Sequence, residues 1–413
     1  MGVKRITIIG GGISGLSVLH FLKQRHGPAV DVKLYERDTC CGGTIRSIDK
    51  ASALIEWGPN GFLDHEPTTF QLINELGLQG QLIASKESAN LRFIQINGQL
   101  EALPTNPIEF ITNSLLPLRD KWSLITGLFK KNISQNMSIY EYIAKRFSVN
   151  IADTLIDPFI AGIYAGDIKR LHMSAAFPKF KRPGGKKPTL RSFKSGMSTM
   201  IEALSKRYHD QIILNSDISS LPESDITILA IPAYAAAKLV DGTNPFLGRI
   251  LDEIHYAPLA VAGLLFNEES FKRKPQGFGY LIPSREKKEV LGVLIESNIF
   301  ENRVGARQIL LRVMLGGAHH PSMINDSPEQ ILSNAIKEID DTYGLVSNPI
   351  ETFVKLWPKA IPQYELNYPH WLKDIALQCN KTPGLYLCAN YIDGISFNDC
   401  IKNAKFLADS IKI

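Results

Sequence analysis

The chain has no cysteine framework. Its five cysteines, Cys40, Cys41, Cys379, Cys388 and Cys400, form no CxxC pair and are too sparse over 413 residues to staple a secreted fold. Reduced thiols and a cytoplasmic protein are expected. No apolar run approaches the roughly 18 residues that a bilayer span requires; residues 259–266, for instance, stop well short. The first strand-like run opens at Arg5, which leaves no room for a secretory leader before it. Charge of one sign is scarce as well. A net charge of +5 is small for this length, and neither a long basic helix nor an aromatic–basic repeat accompanies it, so no nucleic acid is expected as a partner. Repeats and low-complexity segments are absent, and no metal is expected: His319-His320 before Pro321 reads as an exposed loop. Hydrophobic content of 44% and charged content of 21% leave an ordinary globular protein, long enough for two or three domains.

What is present starts at the amino terminus. Arg5-Ile6-Thr7-Ile8-Ile9 reads as a buried parallel strand feeding into Gly10-Gly11-Gly12-Ile13-Ser14-Gly15, with a helix from Ser14 to about Gln24. Gly10 permits the tight turn, Gly12 lets the backbone approach a pyrophosphate, and Gly15 lets strand and helix pack closely. The phosphates would lie on the helix N-terminus. A second strand, Val30–Tyr35, ends at Glu36, about 20 residues past the last glycine, where an acid binds ribose hydroxyls. That fingerprint suits NAD or FAD. Cys41-Gly42-Gly43-Thr44-Ile45-Arg46 and Glu56-Trp57-Gly58-Pro59-Asn60-Gly61 follow it, where a glycine-rich loop wraps the pyrophosphate and ribityl chain of FAD; NAD enzymes usually continue alternating strands and helices. Asn390 to Cys400, running into a final helix whose N-terminal N–H groups face an electron-rich ring edge, closes the same site from the other chain end.

Between the ends, helices are expected over 68–76, 121–130, 139–147, 151–160, 198–208, 329–343 and 398–411. Strands are expected over 211–214, 225–232, 290–296, 308–314 and 385–389. Residues 91–96 and 100–103, joined by Asn97-Gly98, read as a β-hairpin. The expected division is a discontinuous nucleotide domain (1–64, 197–250 and 360–413), a mainly antiparallel substrate domain (65–104 and 251–359) and an inserted helical module (105–196). Within the module, Trp122, Leu124, Ile125, Leu128 and Phe129, flanked by Lys121, Lys130 and Lys131, read first as core and second as a bilayer seat. Residues 178–194 carry Lys179, Lys181, Arg182, Lys186, Lys187, Arg191 and Lys194 around Pro183-Gly184-Gly185. They read as a mobile surface loop, either a solvated charge run or an attractor for anionic lipid or an acidic substrate.

Ala161-Gly162-Ile163-Tyr164-Ala165-Gly166-Asp167, Ser195-Gly196-Met197, Leu315-Gly316-Gly317-Ala318 and the closing Gly394-Ile395-Ser396-Phe397-Asn398-Asp399-Cys400 add a further level. With the opening fingerprint and Trp57 to Gly61, they make the chain resemble, end to end, the oxygen-dependent protoporphyrinogen oxidases, including the coproporphyrinogen III-oxidising branch, within the amine oxidase flavoprotein superfamily. The resemblance implies a mixed α/β fold: a Rossmann-like FAD domain of p-hydroxybenzoate-hydroxylase-like topology, an antiparallel-sheet substrate domain and a membrane-associating helical domain. It places FAD against Gly10, Gly11, Gly12, Ile13, Ser14, Gly15, Glu36, Arg37, Gly42, Gly43, Thr44, Gly58, Pro59, Asn60 and Gly61. It adds the strand residue Ile218, Trp357, Ile395, Ser396 and Phe397. It also implies a tetrapyrrole substrate whose propionate is held by Arg92, a bidentate fork for a carboxylate, with Gly162 and Gly166 admitting a flat macrocycle. The implied reaction removes six electrons in two-electron steps from protoporphyrinogen IX or, as the alternative, coproporphyrinogen III. Oxygen is the final acceptor and hydrogen peroxide the by-product. No catalytic base follows from the sequence; the cofactor carries the chemistry. The other partners implied are a membrane surface, touched peripherally from the cytoplasmic side, and for a homodimer a second copy of the chain.

Two competing readings share the cofactor domain. One is an amine oxidase or a carotenoid desaturase, from which turnover of a porphyrinogen to a fluorescent porphyrin would separate it. The other is a non-catalytic binding protein on the same fold, which would be colourless and refuse FAD.

Overall fold

The computed structural model describes residues 3–130, 133–177 and 188–413. Its nucleotide sheet is five parallel strands in the order Ile212–Ile213, Val30–Tyr35, Lys4–Ile9, Ile226–Leu229, Leu385–Leu387. Covered on both faces, such a sheet demands continuous apolar strands rather than alternating ones. Ile6, Ile8, Ile9, Ile226, Ile228 and Leu229 meet that demand, and all are buried. The helix Ile13–His26 leaves the first strand and the helix Phe397–Ser410 lies against it, packing Leu16, Leu19, Phe397, Ile401 and Ala404 into one cluster. Arg25 and Asp409 pair at 2.8 Å across the two. Three distant stretches of chain therefore build one unit.

The second sheet has seven strands, ordered Glu351–Pro362, Tyr256–Asn267, Gln308–Gly316, Val290–Ile295, Gly279–Leu281, Phe93–Ile96, Gln99–Ala102. All pairs are antiparallel except Gly279–Leu281 with Phe93–Ile96. Asn97 and Gly98 both take positive φ, +50° and +74°, as a two-residue hairpin turn requires. Helix Pro328–Tyr343 covers one face through Ile331, Ala335 and Ile339. Gln95, Tyr280, Lys288, Glu338 and Thr342 satisfy one another beneath it.

The helical module departs from expectation. Helix Leu118–Gly127 turns two of its three charged residues inward: Lys121 is buried, its ammonium donating to the carbonyls of Ile111 and Asn113, and buried Asp120 accepts from Asn150, while Arg119 is exposed. Trp122, Ile125, Leu128 and Phe129 consequently face out, Trp122 67% and Phe129 82% exposed, and only Leu124 packs partly inward. Reading these side chains as core is corrected, because a polar anchor rather than the apolar stripe holds the helix down. Lys131 lies outside the described residues. Helical structure then runs from Val149 to Tyr164, interrupted by a π-helical turn at Ala152–Ile156.

Of the basic segment 178–194, residues 178–187 lie outside the described residues. Its end is not loop. Leu190–Phe193 is a strand between Phe62–Leu63 and Leu82–Ala84, drawn in because Ser192 and Phe193 are buried and Arg191 pairs with Asp64. His319 is likewise not exposed; it is half-buried, with Nε2 3.8 Å from the carboxylate of buried Asp157.

Candidate functional site

The turn after the first strand is built for an anion. Gly10 has φ +108°, and a Cβ there would fall 2.4 Å from the Ala230 carbonyl. Its N–H donates to Tyr35 O at 2.8 Å. A Cβ on Gly15 would lie 2.0 Å from Gly10 O, so strand and helix approach as closely as glycine allows. Gly12 differs: a Cβ there would meet nothing within 4 Å. Gly12 is also the helix N-cap and offers no side chain, and no acid stands in the first turn. The first N–H groups, on Ile13 and Ser14 among others, are left for a ligand, with the helix dipole behind them. Beside this opening, Gly42 N–H donates to Gly11 O at 2.9 Å, and Gly43, at φ +59°, comes against Gly12. The loop of Gly42, Gly43 and Thr44 thus borders the glycine turn directly.

Glu36 is buried and doubly engaged: one oxygen accepts Gly11 N–H at 2.6 Å, the other Asp38 N–H at 2.9 Å. Arg37 is exposed at the rim, 3.7 Å from Asp38. Ile218 is half-buried but sits in no strand, which corrects that expectation. The chain there is held irregularly alongside Glu36, with Asn215 and Ser216 N–H donating to Asp38 O and Glu36 O. It leaves the sheet edge after Ile213.

Residues 56–61 form the next wall. A Cβ on Gly58 would lie 2.2 Å from Thr44 O and one on Gly61 2.5 Å from Arg191 O, so Gly58, Pro59, Asn60 and Gly61 run tightly packed. Trp357, on the edge strand Glu351–Pro362, donates its indole N–H to Trp57 O at 3.1 Å and carries Lys355 over its ring at 4.7 Å. Behind the wall stand four buried ionisable side chains, Glu56, Glu296, Arg303 and Arg312, of which sequence reading named only Glu56, as part of its glycine-rich segment. Arg312 donates to the carbonyls of Glu56 and Gly58, both at 3.0 Å, and its Nε lies 3.2 Å from Glu296, which also accepts from Asn60. Burial pushes the Glu56 carboxyl up to about 7, although Ser47 and Met197 N–H both donate to it. The available signal was a lone arginine inside the apolar run Gln308–Gly316.

From the far chain end, Ser396 caps the last helix reciprocally with Asp399. Ile395 is half-buried before it, and Phe397 turns inward to stack on Phe62 at 5.2 Å. Asn398 bonds the Thr69 hydroxyl and Leu63 O, and Cys400 meets the Ser14 hydroxyl. The two glycine-bearing ends are therefore in direct contact.

Of the residues expected to meet substrate, Arg92 lies at the second sheet, and Gly162 and Gly166 lie on and just after the helix Asp157–Tyr164. Arg92 precedes Phe93–Ile96; its guanidinium covers the Phe278 ring at 4.7 Å and has no carboxylate partner among the described residues. Ile94 pairs with Leu281, whose side chain lies against Gly162, and Arg92 stands two residues before Ile94. Gly166 does not open onto that space. A Cβ on it would lie 2.5 Å from Gln363 Oε1. Among the described residues no group of three His, Cys, Asp or Glu is placed to hold a metal.

A model of the flavin containing amine oxidoreductases matches residues 13–412. The chain belongs to this family. It is an FAD-dependent oxidoreductase, and the uncapped helix, the open side of Gly12 and the buried Glu36 fit the cofactor's pyrophosphate and ribose. This family member is similar to protoporphyrinogen oxidase 2, chloroplastic/mitochondrial, of Arabidopsis thaliana: 28% identity, covering 99% of this chain and 94% of the relative. It is also similar to coproporphyrinogen III oxidase of Bacillus subtilis, with 23% identity over 98% of this chain and 97% of the relative. A crystal structure from Exiguobacterium sp. 255-15, provisionally named a protoporphyrinogen oxidase, shares the fold with a TM-score of 0.85, 20% identity and 99% of each chain covered.

Proposed function

We propose that this flavoprotein oxidises protoporphyrinogen IX to protoporphyrin IX. Three oxygen molecules would be consumed and three hydrogen peroxide molecules released as six electrons and six protons leave the substrate. The observation that carries the reading is Arg92. A guanidinium stacked on an aromatic ring, without a carboxylate of its own among the described residues, is suited to a propionate on a flat apolar ligand. The names of the Arabidopsis and Bacillus relatives support a porphyrinogen.

FAD, held by residues 10–15, Glu36, residues 42–44 and residues 58–61, supplies the two-electron acceptor. The remaining work falls to the chain. Arg92 fixes one substrate edge, Gly162 leaves room for the ring face, and nitrogen-bound protons leave by tautomerisation without a dedicated base. The domain division at 1–64, 197–250 and 360–413, at 65–104 and 251–359, and at 105–196 belongs to this reading. So does a seat on a membrane surface through the outward face of Leu118–Gly127, from the cytoplasmic side. No helix among the described residues is long and apolar enough to cross a membrane.

The test is aerobic turnover of both porphyrinogens by the purified, flavin-loaded protein, followed by porphyrin fluorescence. Faster turnover of protoporphyrinogen IX is expected. Preference for coproporphyrinogen III would move the assignment to that substrate, and no turnover of either would sink the proposal.

A further inference from the structure

The two sequence elements that most distinguish this chain, residues 161–167 and residues 390–400, do not follow one another in sequence, yet they are joined by two adjacent side chains. Gln363 donates from Nε2 to Tyr164 O at 2.9 Å, and its other amide atom fills the space beside Gly166. Tyr364 points the opposite way. Its hydroxyl donates to Asn390 O at 2.7 Å and accepts Gly394 N–H at 2.9 Å. Tyr368, the first residue of the helix Tyr368–Asn380, repeats the pattern four residues on, donating to Tyr391 O and accepting Asp393 N–H, both at 3.1 Å. The two rings stack with centroids 3.9 Å apart and planes 13° from parallel, and Tyr164 packs edge-on against Tyr364 at 5.7 Å. All three tyrosines are buried.

Each hydroxyl thus spends its proton on one carbonyl and its lone pair on one N–H of the same turn. Nothing else among the hydrogen bonds of residues 393 and 394 holds those N–H groups. Asp393 sits at φ +51°, a left-handed conformation that a residue with a side chain disfavours, and Gly394 follows at φ +122°. It opens directly into Ile395, Ser396 and the last helix. Removing one hydroxyl would leave a donor and an acceptor of a partly buried turn unpaired together, the costly direction of a hydrogen-bond deletion.

We propose that Gln363, Tyr364 and Tyr368 form a strut of positioning residues. It sets the turn before the last helix, and with it the cofactor-facing N-terminus, relative to the Asp157–Tyr164 helix. None of the three touches the reacting atoms. The inference rests on residues 395–397 bordering FAD and not on which substrate is oxidised.

The experiment compares flavin binding and flavin environment in single variants of the full chain. For each protein, the FAD dissociation constant is measured on flavin-depleted protein by fluorescence quenching, and the visible absorption and circular dichroism of the bound flavin are recorded. Thermal unfolding without FAD is followed in parallel. Tyr364→Phe is expected to weaken FAD binding about tenfold and to alter the visible dichroism; Tyr368→Phe, about threefold in the same direction. Gln363→Met should shift the spectrum too, and combined with Tyr364→Phe should cost less than the sum of the two, as members of one network do. Tyr280→Phe is the control: it removes an equally buried hydroxyl, bonded to Glu338 and Thr342 under the other sheet, and should lower melting while leaving FAD affinity and spectrum unchanged. Gly394→Ala separates the strut from the reading beneath it. If that variant leaves the flavin untouched, the turn does not border the cofactor and the proposal falls with it. If Gly394→Ala perturbs the flavin but Tyr364→Phe and Tyr368→Phe lower only the melting temperature, the turn matters and the strut is overturned.

Discussion

Glu56 is the residue whose surroundings most exceed what its type suggests. A carboxyl brought to about 7 by burial, from 4.5 when exposed, stays largely neutral in the folded protein while the unfolded chain ionises. The folded state therefore binds the extra proton, and stability carried by this group is complete below about pH 4.5 and lost as pH rises to about 7. Glu56→Gln keeps the neutral shape and removes the titration. Relative to wild type, the variant should gain on the order of 3 kcal/mol across that window and nothing further above it. Denaturant unfolding at pH 4.5, 6 and 8 measures this, and parallel curves would assign the slope elsewhere. His20 acts in the opposite sense. Buried and bonded to Glu75 and Tyr208, its imidazole is held below the usual histidine range mainly by desolvation, so its contribution is present above about pH 6.5 and falls away under acid. On the proposed reading, Arg92 serves substrate binding rather than stability. Arg92→Ala should raise KM by about tenfold or more, the worth of a charge-assisted hydrogen bond, with flavin content unchanged; an unaltered KM would take Arg92 out of the substrate site.

Among the elements, Leu118–Gly127 has the least usual construction. Its apolar side chains were plain in the sequence, but periodicity shows which face is apolar and not what covers it. The deciding feature is that buried Lys121 and Asp120 find hydrogen-bond partners in Ile111, Asn113 and Asn150, which no local pattern announces. If the outward face seats on lipid, Trp122→Ser and Phe129→Ser should each weaken vesicle association by about tenfold, since burying a large apolar side chain is worth roughly 1.5–3 kcal/mol. Binding should persist at high salt, where screening removes surface electrostatics. Sedimentation with vesicles at low and high salt decides: loss with salt would shift the contact to basic residues, and equal binding by both variants would remove this helix from it. Other elements were legible for a physical reason. Lys4–Ile9, Val30–Tyr35, Ile13–His26, Pro328–Tyr343 and the Asn97-Gly98 hairpin declare themselves through local period and turn chemistry. Leu190–Phe193 did not, because its strand character comes from partners more than a hundred residues away and its sequence neighbours are basic. Ile218 failed the other way, an apolar residue that packs without joining a ladder.

At the scale of the whole molecule, what sequence reading could not supply was pairing over distance. The glycine fingerprint and the closing segment each name a cofactor contact, but Arg312 on Gly58, Ser14 on Cys400 and Tyr364 on Gly394 are facts of assembly. Because FAD binds only the assembled protein, saturating cofactor should stabilise it by about 2.7 kcal/mol at a hundred times its dissociation constant. A melting temperature that did not move with FAD concentration would mean that the unfolded chain binds FAD equally well. The strand Leu385–Leu387 stands at one edge of the parallel sheet, beside Ile226–Leu229, and the helix after it closes on the helix after the first glycines. During synthesis, the opening fingerprint emerges early and then waits through nearly the whole message for its counterpart. At roughly 5–20 residues per second that delay is tens of seconds, in which a half-formed nucleotide unit must be shielded from misassembly. Flavin capture then waits for the closing segment: a chain interrupted before residue 385 should leave the ribosome colourless.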